Sequence, residues 1–347
     1  MGRQDRLFSI FPDRIRAALE ASGGNAETLE EIRLRANGPL FVIAGSREKR
    51  LGGTEFLVLP KELEETLQCA VRFSLYAFEE ELRQGYFTVQ GGHRIGVAGR
   101  VVLEQGRIRT IHPVTFLNIR IAHQMQGCAD GVLPYLTEAD TGKIKNTLLI
   151  SPPRCGKTTL LRDLIRQVSG GSRGITVGVA DERSEIAACY QGIPQNDVGC
   201  RTDVLDGCPK ALGMMMLIRS MAPEVVAADE IGGTEDLEAL RCVMNCGCRI
   251  LATVHGTSVE DLRKKPGLRE FLQERRFDRY LVLGNTCGPG TILSISDERE
   301  RVLWSRDRRW EAEVSEKRKF PEERKFPEER KLPEKRMAPE ERRLSCG

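Results

Sequence analysis

The sequence predicts an α/β fold built on a buried parallel sheet, and three stretches carry that prediction. Thr147-Leu-Leu-Ile150 is a short apolar run. It leads into the loop Ser151-Pro-Pro-Arg-Cys-Gly-Lys-Thr158 and then the amphipathic run Thr159–Val168. Pro223-Glu-Val-Val-Ala-Ala-Asp229-Glu230 is a second apolar run, ending in two acids. Arg249-Ile-Leu-Ala-Thr-Val254 is a third, ending in His255-Gly256. Short continuous apolar runs suit strands covered on both faces. Polar residues at their ends suit the carboxyl edge of such a sheet, where α/β folds gather their ligands.

In chain order, Pro12–Ala21 reads as a helix, and 28–35 and 38–44 mix charge with short apolar runs. Gly85–Gly91 alternates as a strand, and His93–Leu103 continues strand-like. Glu104-Gln-Gly-Arg107 is the hairpin turn before Ile108–Ile111. Residues 1–135 are therefore expected to form a small α+β domain that includes the start of a linker. The connection 124–145 holds one short helix. Residues 136–310 are expected to form the α/β domain. Its first helix has an apolar face of Leu160, Leu161, Leu164, Ile165 and Val168, and Ser169-Gly-Gly-Ser172 stops it. Ile175–Ala180 is a further strand of the same sheet, ending in Asp181 and Glu182. Ile231-Gly-Gly-Thr234 opens another helix, with Thr234 as N-cap and Gly247 closing it. Residues 311–347 repeat a charged hexapeptide with Pro321, Pro327, Pro333 and Pro339 at regular spacing. Such proline spacing forbids a long helix and such charge forbids a core, so a disordered tail is expected.

The loop has the chemistry of a phosphate cradle. Gly156 lets the backbone approach an anion, Lys157 can reach the outer phosphates of a nucleotide, and the Thr158 hydroxyl can ligate Mg²⁺. The helix that follows points its positive dipole end at the same place. This is the Walker A arrangement, and the nucleotide-binding set is Ser151, Pro152, Pro153, Arg154, Cys155, Gly156, Lys157, Thr158 and Thr159. The usual pattern begins with glycine where Ser151 stands. Asp229-Glu230 reads as Walker B, with Asp229 on Mg²⁺ and Glu230 as the base for an attacking water. Either stretch alone is common; both together point to ATP and Mg²⁺ as cofactors. Thr253 and His255 are expected beside the terminal phosphate, with His255 sensing or stabilising it.

The chain of 347 residues has a formal charge of +3, so no global field argues for nucleic acid. Eleven cysteines raise the question of disulfides. No charged-then-apolar signal segment is apparent, and Cys155 lies inside the phosphate loop. Reduced thiols in a cytosolic protein are the expectation. No apolar run approaches the length needed to span a bilayer, so any membrane contact is expected to be peripheral.

Longer motifs carry a family resemblance. Tyr86-Phe-Thr-Val-Gln-Gly-Gly-His-Arg-Ile-Gly-Val-Ala-Gly-Arg100, Asn118-Ile-Arg-Ile-Ala122 and Asp181-Glu-Arg-Ser-Glu-Ile186 are three of them. Pro194-Gln-Asn-Asp-Val-Gly-Cys-Arg-Thr-Asp-Val-Leu-Asp-Gly-Cys-Pro-Lys210, Met214–Met221 and Ala252-Thr-Val-His-Gly256 complete the set. Over about residues 5–305 the chain resembles the stage III sporulation AA family of endospore-forming bacteria. The resemblance implies an ATPase related to the motors of type II and type IV secretion. Those are hexameric rings in which an N-terminal domain is hinged to a RecA-like P-loop (ASCE) ATPase domain. It further implies a mother-cell cytoplasmic location and membrane-protein partners in a channel between mother cell and forespore. DNA or RNA is not expected as a partner.

By the same resemblance, Asp181 and Glu182 sit near the nucleotide and orient Mg²⁺ or water. Arg94 and Arg120 of the N-terminal domain, and Arg219 of the ATPase domain, are candidates to contact phosphate. Arginine suits that task because its charge is permanent and its fork matches phosphate oxygens. The family usually has glycine at the positions of Ser151 and Arg154. Two other classes fit the motifs: a nucleic-acid-stimulated RecA-like ATPase, and a nucleotide-binding scaffold with little turnover. Few aromatics, 5% of the chain, argue against the first.

Overall fold

The structure, a computed structural model, describes residues 7–22, 28–45, 47–71, 83 and 85–306. The repeat tail, read from sequence as disordered, lies outside the described residues. The N-terminal elements are α1 (Asp13–Ala21), β1 (Leu29–Arg35), β2 (Gly38–Ala44), β3 (Arg47–Leu51), β4 (Leu57–Val58), α2 (Pro60–Ala70), β5 (Tyr86–Val89), β6 (His93–Glu104) and β7 (Arg107–Arg120). The strands form an antiparallel sheet in the order β3-β2-β1-β7-β6-β5, with β4 on β2. Alternation puts Ile32 and Leu34 of β1 and Leu40 and Val42 of β2 into a core shared with Ile15, Leu19 and Leu63 of the two helices. Glu62 ties those helices together: its carboxylate accepts from Arg14 Nη2 and from the Leu59 backbone N–H, both at 2.7 Å. The β6–β7 turn is as expected, with Gln105 and Gly106 both at positive φ. A two-residue turn that follows strand twist requires that geometry. β7 runs well past the expected Ile108–Ile111, because Phe116–Arg120 also pairs with β1.

The remaining elements are α3 (Leu133–Leu136), β8 (Thr147–Ser151), α4 (Lys157–Gly170), β9 (Val177–Asp181), β10 (Thr202–Asp206), α5 (Lys210–Ser220), β11 (Val225–Ala228), α6 (Thr234–Asn245), β12 (Arg249–His255), α7 (Val259–Arg263), α8 (Pro266–Gln273), β13 (Arg279–Gly284), β14 (Thr291–Asp297) and β15 (Val302–Ser305). The sheet order is β10-β9-β11-β12-β8-β13-β14-β15. It is parallel from β10 to β13 and antiparallel through β14 and β15. This is an α/β fold of the RecA-like type, with β12 inserted between the strands that lead into the phosphate loop and the acid pair.

Both faces of this sheet are covered, which is why its strands read as continuous apolar runs. Leu149, Val177, Val179 and Leu251 pack under α4, while Leu148, Ile150, Val226 and Ala252 pack under α5, α6 and α8. α5 lies so close to β9 that a Cβ on Gly178 would sit 3.1 Å from Pro223 and 3.3 Å from Leu217. One cap differs from expectation. The N-cap of α6 is Gly233, not Thr234, and Asp236 Oδ2 accepts from the N–H groups of Gly232 and Gly233. The carboxylate satisfies two donors, where a threonine hydroxyl would satisfy one. Gly247, at φ 86, follows that helix as expected.

Candidate active site

The site lies where β8, β11 and β12 end side by side. Parallel pairing brings the last residues of adjacent strands to one edge, so residues far apart in sequence meet there. Gly156 caps α4 with φ 78 and ψ 13, a left-handed conformation that turns the loop into the helix. A Cβ at Gly156 would lie 2.7 Å from Gly290 N, because the β13–β14 connection closes over the loop. Gly290 N–H donates to the Cys155 carbonyl at 2.9 Å. Only glycine fits between these backbones.

The two residues that stand where the resemblance expects glycine have different consequences. Ser151 is fully buried at the end of β8, is not among the residues of positive φ, and donates its hydroxyl to the Pro152 carbonyl at 2.7 Å. Serine is accommodated there without strain. Arg154, in contrast, has φ 61, in the region that favours glycine. Its Cβ meets the following carbonyl, at a cost of about 1–2 kcal/mol. Arg154→Gly should raise the stability of the chain by up to about 1 kcal/mol, the relief being partly offset by glycine's freedom in the unfolded state. Urea unfolding of the two proteins measures it.

The side chains of the two motifs meet. Lys157 Nζ, at 6% exposure, lies 3.0 Å from Glu230 Oε1. The Thr158 hydroxyl bonds to Asp229 Oδ2, and the Thr253 hydroxyl bonds to Asp229 Oδ1. Thr253 Oγ1 also accepts the Glu230 backbone N–H at 2.9 Å, which holds Glu230 at φ 55. His255 Nε2 is 2.8 Å from Glu230 Oε1, and Arg183 Nη1 is 3.1 Å from Glu230 Oε2. Burial pushes the Glu230 carboxyl up. The hydrogen bond and charge of Lys157, with His255 and Arg183 beside it, outweigh burial and hold it below its ordinary value.

These residues fit a nucleotide and a divalent cation. A hydroxyl and a carboxylate converging beside a buried lysine are hard oxygen donors of the kind Mg²⁺ takes. The first N–H groups of α4 have no partner within the helix. His255 Nδ1 is buried and has no hydrogen-bond partner among the described residues. Pro152, Pro153 and Cys155 complete the loop, and Thr159 lies in the first turn of α4.

The other expected residues fall differently. Asp181 lines a small cavity beside Asp229 and Glu230, with its carboxylate turned onto the chain's own backbone. It is buried, and its carboxylate accepts N–H bonds from Glu185, Ile186 and Ala187 at 2.8–3.0 Å. Its place is to shape the segment after β9. Burial pushes its carboxyl up to about 6, against the pull of those three donors. Glu182 pairs with Lys210 at 2.5 Å and lines the same cavity as Asp181, Asp229 and Glu230. Arg94 reaches the rim of that cavity: it stacks 3.5 Å over the Tyr86 ring and pairs with Glu185 at 3.2 Å. Arg120 is exposed and pairs with Glu31 at 3.4 Å, so it is not brought to the site. Arg219 is not brought there either. Gly213 of α5 lies over Ala180 and Leu217 over Gly178, so α5 runs back along β9 and carries Arg219 to the opposite edge of the sheet.

Sequence reasoning missed Arg183 and Arg162. Arg162 is buried and donates to the carbonyls of Glu185 and Ile186, both at 2.6 Å. It pins the segment that carries Arg183 to α4. Arg183 stands inside the Asp181–Ile186 motif, but no spacing rule says that it points back at Glu230.

Residues 1–303 match the family described as sporulation stage III, protein AA. The chain is 43% identical over 306 residues to the stage III sporulation protein AA of Bacillus subtilis, covering 86% of this chain and 97% of that protein. Among solved structures, the ATPase DotB of Legionella pneumophila superposes with a TM-score of 0.57 at 15% identity, over 83% of this chain and 81% of DotB. The pilus retraction motor PilT, solved with bound ADP, superposes with a TM-score of 0.54 at 15% identity, over 88% and 86% of the two chains.

Proposed function

Because the chain belongs to the sporulation stage III protein AA family, we propose that it is a Mg²⁺-dependent ATPase, a hexameric secretion-type motor that powers or gates a channel between mother cell and forespore. The observation that carries the reading is the convergence of Lys157 and Thr158 on Glu230 and Asp229 at one strand edge. The fold shared with a motor solved with bound ADP supports it.

Bound Mg-ATP supplies the phosphoanhydride and the electrophilic terminal phosphorus. Lys157 neutralises phosphate charge at the start of α4. Thr158 and Asp229 would hold the cation. Glu230 Oε1 takes the proton of the attacking water, and His255, already on that oxygen, orients the carboxylate. Arg94, one ion pair from the cavity, is the N-terminal residue best placed to respond to the nucleotide. The motor acts from the mother-cell cytoplasm on membrane proteins of the channel, without DNA or RNA. Among the described residues no helix is long and apolar enough to cross a membrane.

Steady-state phosphate release by the full chain with Mg-ATP tests the activity. Lys157→Ala tests the site. Loss of a buried charge on the phosphates should weaken nucleotide binding by about tenfold or more, a fold-change of at least about 1.4 kcal/mol. Titration with a fluorescent ATP analogue measures it. Unchanged affinity would place the nucleotide elsewhere.

A further inference from the structure

The β6–β7 hairpin extends beyond its sheet. β5 pairs with β6 only over His93–Gly96, and β1 pairs with β7 only over Phe116–Arg120. Among the described residues, the two strands pair only with each other between these anchors, down to Glu104 and Arg107. A lone two-stranded ribbon is marginal in water. This one also exposes apolar side chains: Val101, Val102, Leu103 and Ile108, with Leu103 at 64%. Val101 and Leu103 are two residues apart on β6 and so share a face, together with their cross-strand partners Ile111 and Ile108. Exposed apolar residues grouped at one projecting tip are a surface awaiting contact.

Charge indicates what covers it. Arg100, Arg107 and Arg109 flank the apolar residues, and Glu104 is the carboxylate among them. Glu104 lies 3.6 Å from Arg109, which leaves Arg100 and Arg107 without an ion pair among the described residues. Apolar side chains bordered by arginines match the boundary between anionic headgroups and acyl chains, where each group finds its own solvent. A nucleic acid would use the arginines but leave the aliphatic side chains in water.

We propose that the tip of the β6–β7 hairpin docks directly on the surface of an anionic bilayer. Val101, Leu103 and Ile108 enter the headgroup boundary, and Arg100, Arg107 and Arg109 pair with lipid phosphates. The hairpin is remote from the phosphate loop in sequence, and the contact needs no nucleotide turnover. Its test is therefore separate from that of the ATPase.

Flotation of the full chain, without nucleotide, on phosphatidylcholine vesicles with and without phosphatidylglycerol is the experiment. Wild type should bind the anionic vesicles at least about tenfold more than the neutral ones, and added salt should weaken that binding. Two double variants, Leu103→Glu with Ile108→Glu and Arg107→Glu with Arg109→Glu, should each lose most of the binding. Circular dichroism should show both folded, since all four residues are exposed. Equal binding to both vesicle types, no binding by wild type, or full binding by folded variants would overturn the proposal. So would wild type that ignores vesicles while the variants change its oligomeric state, because the tip would then hold a second copy of the chain.

Discussion

Replacing Glu230 by glutamine is expected to lower phosphate release by about 10²–10⁴-fold while nucleotide affinity changes by less than about tenfold. The amide keeps the side chain's shape but cannot take a proton from water. Lys157, Thr158 and Asp229, which would hold phosphate and cation, are untouched. The geometry says why Glu230 and not Asp229 is the base. Both Asp229 oxygens are engaged by threonine hydroxyls, from Thr158 and Thr253. Glu230 Oε1 faces Lys157 and His255, two groups for which a bound phosphate would compete. Glu230 is also the residue held at positive φ at the end of β11, and strain of that kind marks positions where a side chain's direction matters. Single-turnover and steady-state phosphate release, beside binding titrations, separate the two effects. Loss of affinity with turnover per bound nucleotide intact would move the base elsewhere.

Much of this site was legible in the sequence because it is built from strand ends. An apolar run followed by a polar cluster gives both the strand and its exposed edge, so Lys157, Thr158, Asp229, Glu230 and His255 could be named together before any fold was known. β13, β14 and β15 are not marked out in the sequence because they carry no chemistry at their ends. Long-range helix direction was also out of reach. Nothing in Lys210–Ser220 shows that α5 runs back along β9, so Arg219 was a fair candidate until Gly178 and Gly213 fixed its course. Arg154 is a subtler case. The phosphate-loop pattern allows any residue there while the resemblance expects glycine, and the backbone gives the reason: the loop turns left-handed at that point. The resemblance places Asp181 near the nucleotide, and it ends an apolar run, as Asp229 does. The difference lies in the residues after it, which turn their N–H groups back onto the carboxylate.

That difference has the largest expected effect on stability. Asp181→Ala removes the acceptor of three backbone N–H groups at a buried position. An orphaned buried donor costs about 1–3 kcal/mol, so the loss should be at least about 3 kcal/mol in urea unfolding. The segment it shapes also carries Arg183 to Glu230 and Glu185 to Arg94, so turnover should fall with stability rather than independently of it. The pH dependence follows from the raised carboxyl. Its pKa is about 6 in the fold against an ordinary 3.8, so the folded state holds a proton that the unfolded state has released between those values. Stability from this group is full below pH 3.8 and is lost as pH rises through 6. Asp181→Asn is neutral at every pH, and it keeps one acceptor oxygen for part of the turn. The stability difference between wild type and Asp181→Asn should therefore shift against the wild type from about pH 4 to 6 and level off above. A difference that moved the other way would mean that the three N–H donors overcome burial and that Asp181 is ionised throughout.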